Sequence, residues 1–253
     1  MTNKGFYNII NNYLGVLCMD KVLSVYRSEN KYLIPIANMA EIKFKLETVL
    51  KKDDNSKEGS YTVRSLYFDS INNIDFYTKT AGTEIRKKIR IRVYDPDAKK
   101  CKLEMKKKNG DYGHKISLWI TKEDAKDLIN GKYNTLVKYF NNSEEAVEIF
   151  TTMSMGCYKP VVMVEYERIA YTYPLYDTRL TFDYNIRSSE SNFDLFDKHI
   201  MYNTILNDKV ILEVKYNENL LKFISKVLSP YKLTRVSISK YCMSRKVYYD
   251  FNY

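Results

Sequence analysis

The sequence predicts an α+β fold built on an antiparallel β-sheet or barrel, with helices packed outside it. Several segments alternate apolar and polar residues with the two-residue period of a half-buried strand, and segments with helical spacing lie between them. The chain contains 24 tyrosines in 253 residues, most of them in the alternating segments, which is typical of strands. A hydrophobic content of 45% is enough for a sizeable core.

Six alternating segments are predicted as strands: 61–69, 86–94, 101–108, 161–170, 179–187 and 211–216. The polar, turn-rich stretches 51–60 and 107–114 are predicted as loops within the domain. We place helices at 37–50, after the capping-box sequence at 121–124, at 144–153, and at 218–229, where Pro230 ends the helix.

The charge balance predicts a polyanionic partner. Lys and Arg number 41 against 31 Asp and Glu, for a net charge of +10, which suits nucleic acid, an anionic membrane surface or a phosphate-rich molecule. Two histidines and four widely separated cysteines exclude a His-based zinc site and a Ser-His-Asp triad, so a metal site would use carboxylates and favour Mg²⁺ or Mn²⁺. Without an apolar run of about 18 residues or a secretion signal, we expect no transmembrane segment and a cytoplasmic location.

The segment 86–94 carries cations at every second position, with aliphatic residues between them. A solvated strand face normally mixes charges of both signs, because like charges side by side repel. A row of cations becomes favourable when a multivalent anion lies along it, while the apolar face requires cover from helices. The sequence therefore predicts a closed antiparallel barrel with a cation-lined lumen.

The same alternation identifies the other side chains that would face this lumen. The candidate lumen cations are Arg27, Lys31, Arg86, Lys88, Arg90, Arg92, Lys102, Lys106, Lys108, Lys115, Arg168, Arg179, Arg187, Lys215 and Lys240. The candidate lumen acids are Glu29, Glu104, Asp183 and Glu213, of which Glu104 and Asp183 could equally serve only to offset cation repulsion. If the basic excess is internal, the outer surface is near neutral, which argues against an external nucleic-acid stripe.

Taken in order, these segments resemble the VTC-type polyphosphate polymerase domain of the triphosphate tunnel, or CYTH-like, superfamily. The matching motifs are R-x-E-x-K-Y (27–32), V-R-S-L-Y-F-D-S (63–70), R-x-K-x-R-x-R-x-Y (86–94), L-E-x-K-x-K (103–108), Y-x-R (166–168), R-L-T-F-D-x-N-I-R (179–187), L-E-V-K-Y (212–216) and S-K-Y (239–241). We accordingly assign residues 22–253 to the tunnel domain and residues 1–21 to an N-terminal helix or tail.

The resemblance implies an eight-stranded antiparallel tunnel that binds triphosphate or polyphosphate with Mn²⁺ or Mg²⁺ and transfers the ATP γ-phosphoryl group to a growing polyphosphate chain. We expect catalytic contacts from Lys31, Arg90, Arg92, Lys106, Arg168, Arg179 and Lys240. We expect further phosphate contacts from Arg86, Lys88, Lys108, Lys115, Tyr166, Arg187 and Lys215. Glu213 resembles the metal-binding glutamate of the family, and Glu29 is the second candidate ligand.

One departure from the superfamily pattern bears on the activity. Triphosphatase members typically open with E-x-E-x-K, whereas Arg27 stands at the first glutamate position here, which is the pattern of the polymerase branch. The alternatives are a tunnel triphosphatase acting on inorganic or nucleoside triphosphate and a non-catalytic polyphosphate-binding module. The resemblance is to the stand-alone prokaryotic form, with ATP and polyphosphate or triphosphate as partners and no nucleic acid. It leaves the oligomeric state open.

Overall fold

In the part of the chain that the structure describes, one antiparallel sheet of ten strands organises the fold. In the computed structural model, the described residues are 27–56, 58–110 and 112–249, so the helix or tail predicted at 1–21 lies outside them. The strands are β1 (Arg27–Pro35), β2 (Lys51–Lys52), β3 (Tyr61–Asp69), β4 (Arg86–Val93), β5 (Lys100–Asn109), β6 (Tyr112–Thr121), β7 (Lys159–Tyr173), β8 (Thr178–Ser189), β9 (Asn203–Thr204) and β10 (Lys209–Asn217).

The helices alternate with these strands along the chain. They are α1 (Ile36–Glu47), α2 (Ile74–Thr80), α3 (Lys122–Ile129), α4 (Glu144–Met155), α5 (Lys222–Leu228) and α6 (Lys240–Tyr249), with a 3₁₀ segment at Tyr133–Asn142. Among the described residues, no helix is both long and apolar enough to cross a membrane.

The main path of the sheet runs β1-β10-β8-β7-β3-β4-β5-β6, with β2 paired to β7 and β9 to β8. Every pairing is antiparallel. The expected α+β fold with an eight-stranded antiparallel path is confirmed, but within the described chain β1 and β6 do not pair, so the hydrogen-bonded ladder stays open. The connector before α6 occupies the free edge of β1, where the Val236 N–H donates to the Lys31 carbonyl oxygen at 2.9 Å.

Helices cover the convex face of the sheet, as the sequence predicts. Alternate residues of β4 and β5, such as Ile91 and Leu103, pack against α3 and α4 in one core cluster. Alternate residues of β8 and β10, such as Phe182 and Leu212, pack against α1 and α5 in another. Side chains between these positions therefore project to the opposite, concave face of the strands.

Helix α6 is an exception that the sequence did not predict. Its Tyr241 ring stacks on Tyr67 with ring centroids 5.2 Å apart, in a third cluster that includes Val63 and Val164. These residues alternate with the convex core positions of their strands, so α6 lies against the concave face. Not every helix is therefore outside the sheet, and Lys240 enters the lumen from the first residue of α6.

Several predicted boundaries agree with the structure and others need correction. The strand predicted at 61–69 matches β3, and the capping box forms between Thr121 and Asp124 at the start of α3. The loop predicted at 107–114 is wrong, because β5 and β6 extend into a hairpin whose tip includes Gly110 in the left-handed region, at φ 55°. The stretch 51–60 also contains β2, whose pairing to β7 positions Asp53 beside the lumen strands.

Candidate phosphate-binding tunnel

The concave face brings together side chains from both halves of the chain. Strand register and alternation place there Lys31, Arg86, Lys88, Arg90, Arg92, Lys106, Lys108, Lys115, Tyr166, Arg168, Arg179 and Lys215, with Glu29, Glu104, Asp183 and Glu213, and α6 adds Lys240. Cations outnumber carboxylates in this set. We call this set the tunnel site. The carboxylates divide its cations into three clusters.

The first cluster surrounds Glu29 and Glu213 on β1 and β10. Lys31 Nζ lies 2.8 Å from Glu29 Oε1 and 3.9 Å from Glu213 Oε2, and Lys215 Nζ lies 2.7 Å from Glu213 Oε1. Burial and the negative charge of Glu213 raise the pKa of Glu29, but Lys31, Lys215 and Lys106 together lower that pKa to about 2. Burial also raises the pKa of Glu213, and Lys215, Lys31 and Lys240 outweigh it, so both carboxylates are ionised.

The second cluster surrounds the buried Glu104 on β5. Arg90 Nε donates to Glu104 Oε2 at 2.8 Å, and Arg90 Nη1 donates to the Tyr67 hydroxyl at 3.1 Å. Arg92 Nε lies 3.8 Å from the same carboxylate, and Lys115 pairs with its other oxygen. Burial raises the pKa of Glu104, yet Arg90, Arg92 and Lys115 lower that pKa to about 2. Glu104 therefore neutralises and orients cations.

The third cluster surrounds Asp183, which is fully buried on β8. Arg168 binds it in a bidentate manner, with Nε to Oδ1 at 2.6 Å and Nη2 to Oδ2 at 2.7 Å, and Lys240 Nζ lies 2.5 Å from Oδ2. Both cations also lie over the Tyr166 ring, at 5.3 Å for Arg168 and 4.5 Å for Lys240. Burial opposes ionisation of Asp183, but Lys240 and Arg168 hold its pKa below the usual range.

Some tunnel cations have little or no local compensation. Among the described residues, neither Lys88 nor Lys108 has a carboxylate within 4.0 Å, and Arg92 Nε donates no hydrogen bond. Burial lowers the pKa of Lys88 well below its usual range, and the positive charges of Lys31, Arg90 and Lys106 lower it further. A partly buried cation without a compensating carboxylate is unfavourable in the empty protein, so these positions favour an anionic ligand.

One predicted phosphate contact, Arg86, and one predicted catalytic contact, Arg179, lie at the margins of the tunnel. Arg86, at the start of β4, donates from Nη1 to the Thr83 carbonyl oxygen at 2.5 Å. Arg179 is 40% exposed and pairs with Asp53, with Nη2 and Oδ2 2.7 Å apart. Asp53 is a partner that sequence alternation missed, because it belongs to the turn after β2 and carries no strand signal.

The lumen position predicted for Arg187 is wrong. Arg187 Nε donates to Glu165 at 3.0 Å, and Glu165 also accepts from Arg64. Arg64 lies on the same face of β3 as Leu66 and Phe68, which belong to the convex core. The β7–β8 register shifts between Glu165 and Glu167, and nearby Asn185 has φ 49°. This irregularity breaks the two-residue alternation of β8, so Arg187 faces the convex side while Arg179 faces the lumen.

Tyr67 is a tunnel residue that is not among those predicted from the sequence. Its hydroxyl accepts from Arg90, which lies directly opposite on β4. The positive charge of Arg90 outweighs burial and lowers the pKa of Tyr67. Alternation along 61–69 places Tyr67 on the same face as Tyr61, but only the pairing of β3 with β4 connects it to the arginine row.

Glu29 and Glu213 fit a divalent cation in their chemistry. Both are ionised oxygen donors, and Mg²⁺ is commonly bound by one or two carboxylates together with substrate phosphates. Across the described residues, no group of three Asp, Glu, His or Cys side chains is arranged to hold a metal ion. These two carboxylates would therefore share the ion with phosphate oxygens.

The chain is similar to a known protein family in sequence and to solved structures in fold. The VTC domain profile matches residues 26–249 of the chain. A solved structure of a Bacillus halodurans protein provisionally named an adenylate cyclase aligns at a TM-score of 0.51 and 13% identity, over 85% of this chain and 94% of that one. The PH1819 protein from Pyrococcus horikoshii aligns at 0.45 and 15% identity, over 87% and 99%. No curated protein matches this sequence.

Proposed function

Because the chain belongs to the VTC domain family, we propose that it is a polyphosphate polymerase that transfers the γ-phosphoryl group of ATP to a polyphosphate chain held in the tunnel. The observation that carries this proposal is the cation-rich concave face, where Lys88 and Lys108 have no carboxylate within 4.0 Å among the described residues. A chain of phosphates would supply negative charge along both strands at once.

In the proposed reaction, a terminal phosphate oxygen of the chain attacks the γ-phosphorus, a new P–O bond forms, and the bond to the β-phosphate oxygen breaks to release ADP. The attacking oxygen is already anionic, so no strong general base is required. Catalysis then depends on positioning and charge neutralisation. Arg90 and Arg92 supply planar guanidinium groups that bind adjacent phosphate oxygens, while Lys31, Lys88 and Lys106 act as point charges.

Each carboxylate cluster contributes to this positioning. Glu104 and Tyr67 hold the Arg90 guanidinium from two sides, and Asp183 fixes Arg168 and Lys240 over Tyr166. Glu213 and Glu29 would hold Mn²⁺ or Mg²⁺. When bound, that ion supplies charge neutralisation at the phosphate oxygens.

A tunnel triphosphatase is the second candidate, since parts of the site are open to water. Lys215 and Lys106 are 50% and 42% exposed, so water reaches the same cluster that would hold the phosphates. With water as the acceptor, the same cations would support hydrolysis.

An assay of the purified protein with ATP and Mn²⁺ tests the proposal. Polyphosphate and ADP in matching amounts would support the polymerase, and orthophosphate release would support the triphosphatase. If neither polyphosphate nor orthophosphate forms, the result would indicate a non-catalytic binding module. Cyclic AMP would instead indicate the activity named for the Bacillus halodurans protein. Lys126→Ala serves as a control for the loss of one positive charge outside the tunnel site, because Lys126 is exposed on α3.

A further inference from the structure

Trp119 is the single tryptophan of the chain and lies on the concave side of the edge strand β6. Its strand neighbours Ile116 and Ile120 are buried in the convex core, whereas the indole is 56% exposed. Its cross-strand neighbours on this face are Lys102 and then Arg92, so the exposed aromatic ring is not explained by packing into an apolar core. More than half of the Trp119 surface is accessible to a ligand in the tunnel.

The register of the sheet connects Trp119 to the phosphate-binding arginines. Trp119 pairs with Lys102, and Lys102 pairs with Arg92 on the next strand. At the usual spacing of neighbouring strands, the backbones of Trp119 and Arg92 are about 10 Å apart. Lys102 Nζ lies over one face of the indole ring, 4.7 Å from its centre, so a cation and an aromatic surface are adjacent. Phosphate suits the cation, and a planar uncharged group suits the indole.

We propose that Trp119 is a stacking platform for the base of the nucleotide whose triphosphate binds to the tunnel cations. This inference rests on the proposed function, since it takes the nucleotide as the phosphoryl donor. Every nucleobase has a π face, so stacking on one aromatic ring is tolerant of base identity. The platform therefore favours nucleoside triphosphates over inorganic triphosphate and discriminates little among ATP, GTP and CTP.

Tryptophan fluorescence tests this directly, because the whole signal comes from Trp119. The wild-type protein is titrated with ATP and, separately, with inorganic triphosphate, which has the phosphates but no base. We expect ATP to quench the fluorescence substantially and triphosphate to change it little, although calorimetry detects binding of both. Equal fluorescence responses to the two ligands would overturn the stacking proposal.

Variants separate stacking from folding and from phosphate binding. Trp119→Leu is expected to raise the Kd for ATP about tenfold while leaving the Kd for triphosphate unchanged, and Trp119→Phe is expected to retain most of the ATP affinity. Tyr112→Leu is the matched control, because Tyr112 is 86% exposed at the other end of β6. Unchanged triphosphate binding by Trp119→Leu also shows that the variant is folded. If Trp119→Leu misfolds, Trp119→Phe decides, and a tenfold loss with this ring-conserving variant would count against stacking.

The outcomes distinguish this inference from the proposed function. Wild-type ATP affinity in Trp119→Leu, with polymer still formed, would overturn only the base platform. A selective loss of ATP affinity, with no polymer from the wild-type protein, would support the platform and overturn the polymerase. Failure of the wild-type protein to bind either ATP or triphosphate would overturn both.

Discussion

Lys106 of β5 and Glu29 of β1 form an ion pair, with Nζ and Oε2 3.2 Å apart, although their strands are not neighbours in the sheet. Five strands separate β1 from β5 along the hydrogen-bonded path. The contact is possible because the sheet curls until its two ends face each other. A ligand between these ends would touch cations from both, so the tunnel site depends on curvature and not on any one strand.

We expect Glu213→Gln to lower metal-dependent turnover by about a hundredfold, the scale of losing one charge-stabilising group in an active site. Binding of triphosphate should persist, because Lys31 and Lys215 remain and lose a competing carboxylate. Product formation with saturating Mn²⁺ measures the first effect, and calorimetry measures the second. Glu123→Gln, at an exposed position of α3, is the matched control. Wild-type turnover in Glu213→Gln would remove Glu213 from the site.

The substitutions Arg92→Lys and Arg90→Lys should have different effects on stability. Both keep the charge and lose the planar fork, so both should reduce turnover at least tenfold. Arg90→Lys also loses hydrogen bonds to Glu104 and Tyr67 and should lower the free energy of unfolding by about 1–3 kcal/mol. Within the described residues, Arg92 Nε makes no hydrogen bond, so Arg92→Lys should lower that free energy by less than Arg90→Lys does.

Steady-state rates and urea unfolding of the two variants provide the measurements. Full activity in both lysine variants would contradict bidentate phosphate binding, even if the tunnel binds phosphates by charge alone. Equal stability losses would contradict the different roles that the structure gives to the two guanidinium groups.

Lys88 should make anion binding depend on pH. The pKa of Lys88 is lowered in the folded protein. At pH values between this lowered pKa and the usual 10.5, the unfolded chain binds more protons than the folded protein does. The stability of the ligand-free protein therefore rises with pH in this range. A phosphate ligand favours the charged ammonium, so binding takes up a proton in this range and the affinity for triphosphate falls as pH rises. Calorimetry in two buffers of different ionisation enthalpy measures the uptake. Lys88→Met should reduce it, and the same uptake in variant and wild-type protein would refute this role.

Triphosphate should raise the Tm much more than an equal concentration of short duplex DNA. A ligand that binds only the folded state at a hundredfold excess over its Kd stabilises by about 2.7 kcal/mol, which corresponds to several degrees. Duplex DNA is too wide to enter a tunnel of about eight strands. Thermal unfolding with each ligand at low and high salt makes the comparison. Equal stabilisation by DNA would instead indicate an external basic surface.

Much of the strand content follows from local pattern. The alternation of 61–69 coincides with β3, and the row from Arg86 to Arg92 lies on one face of β4 as predicted. Prediction from local pattern fails where contacts between segments set the secondary structure. The hairpin at Gly110 brings polar residues into β5 and β6, and helix α2 begins where Asp69 accepts the N–H groups of Asp75 and Phe76. A single sequence carries weak signals for both features.

The candidate site divides in the same way. Alternation alone assigns Lys31, Arg90 and Lys106 to one face of their strands, because side chains point to opposite faces with a period of two. It does not assign partners to them. Whether Glu104 or Asp183 binds a metal or neutralises cations depends on distances between strands. In the structure both carboxylates form ion pairs with lysine and arginine side chains.

The sequence by itself therefore determined the strand-rich fold, the cation rows on one face and the apolar rows on the other. These are local properties, set by residue type and by the two-residue period of a strand. Only the tertiary structure decided that α6 lies against the concave face of the sheet, that Arg187 faces the convex side and that Lys106 pairs with Glu29. Each of these depends on register shifts, curvature or packing between residues far apart in the chain, and no local periodicity encodes them.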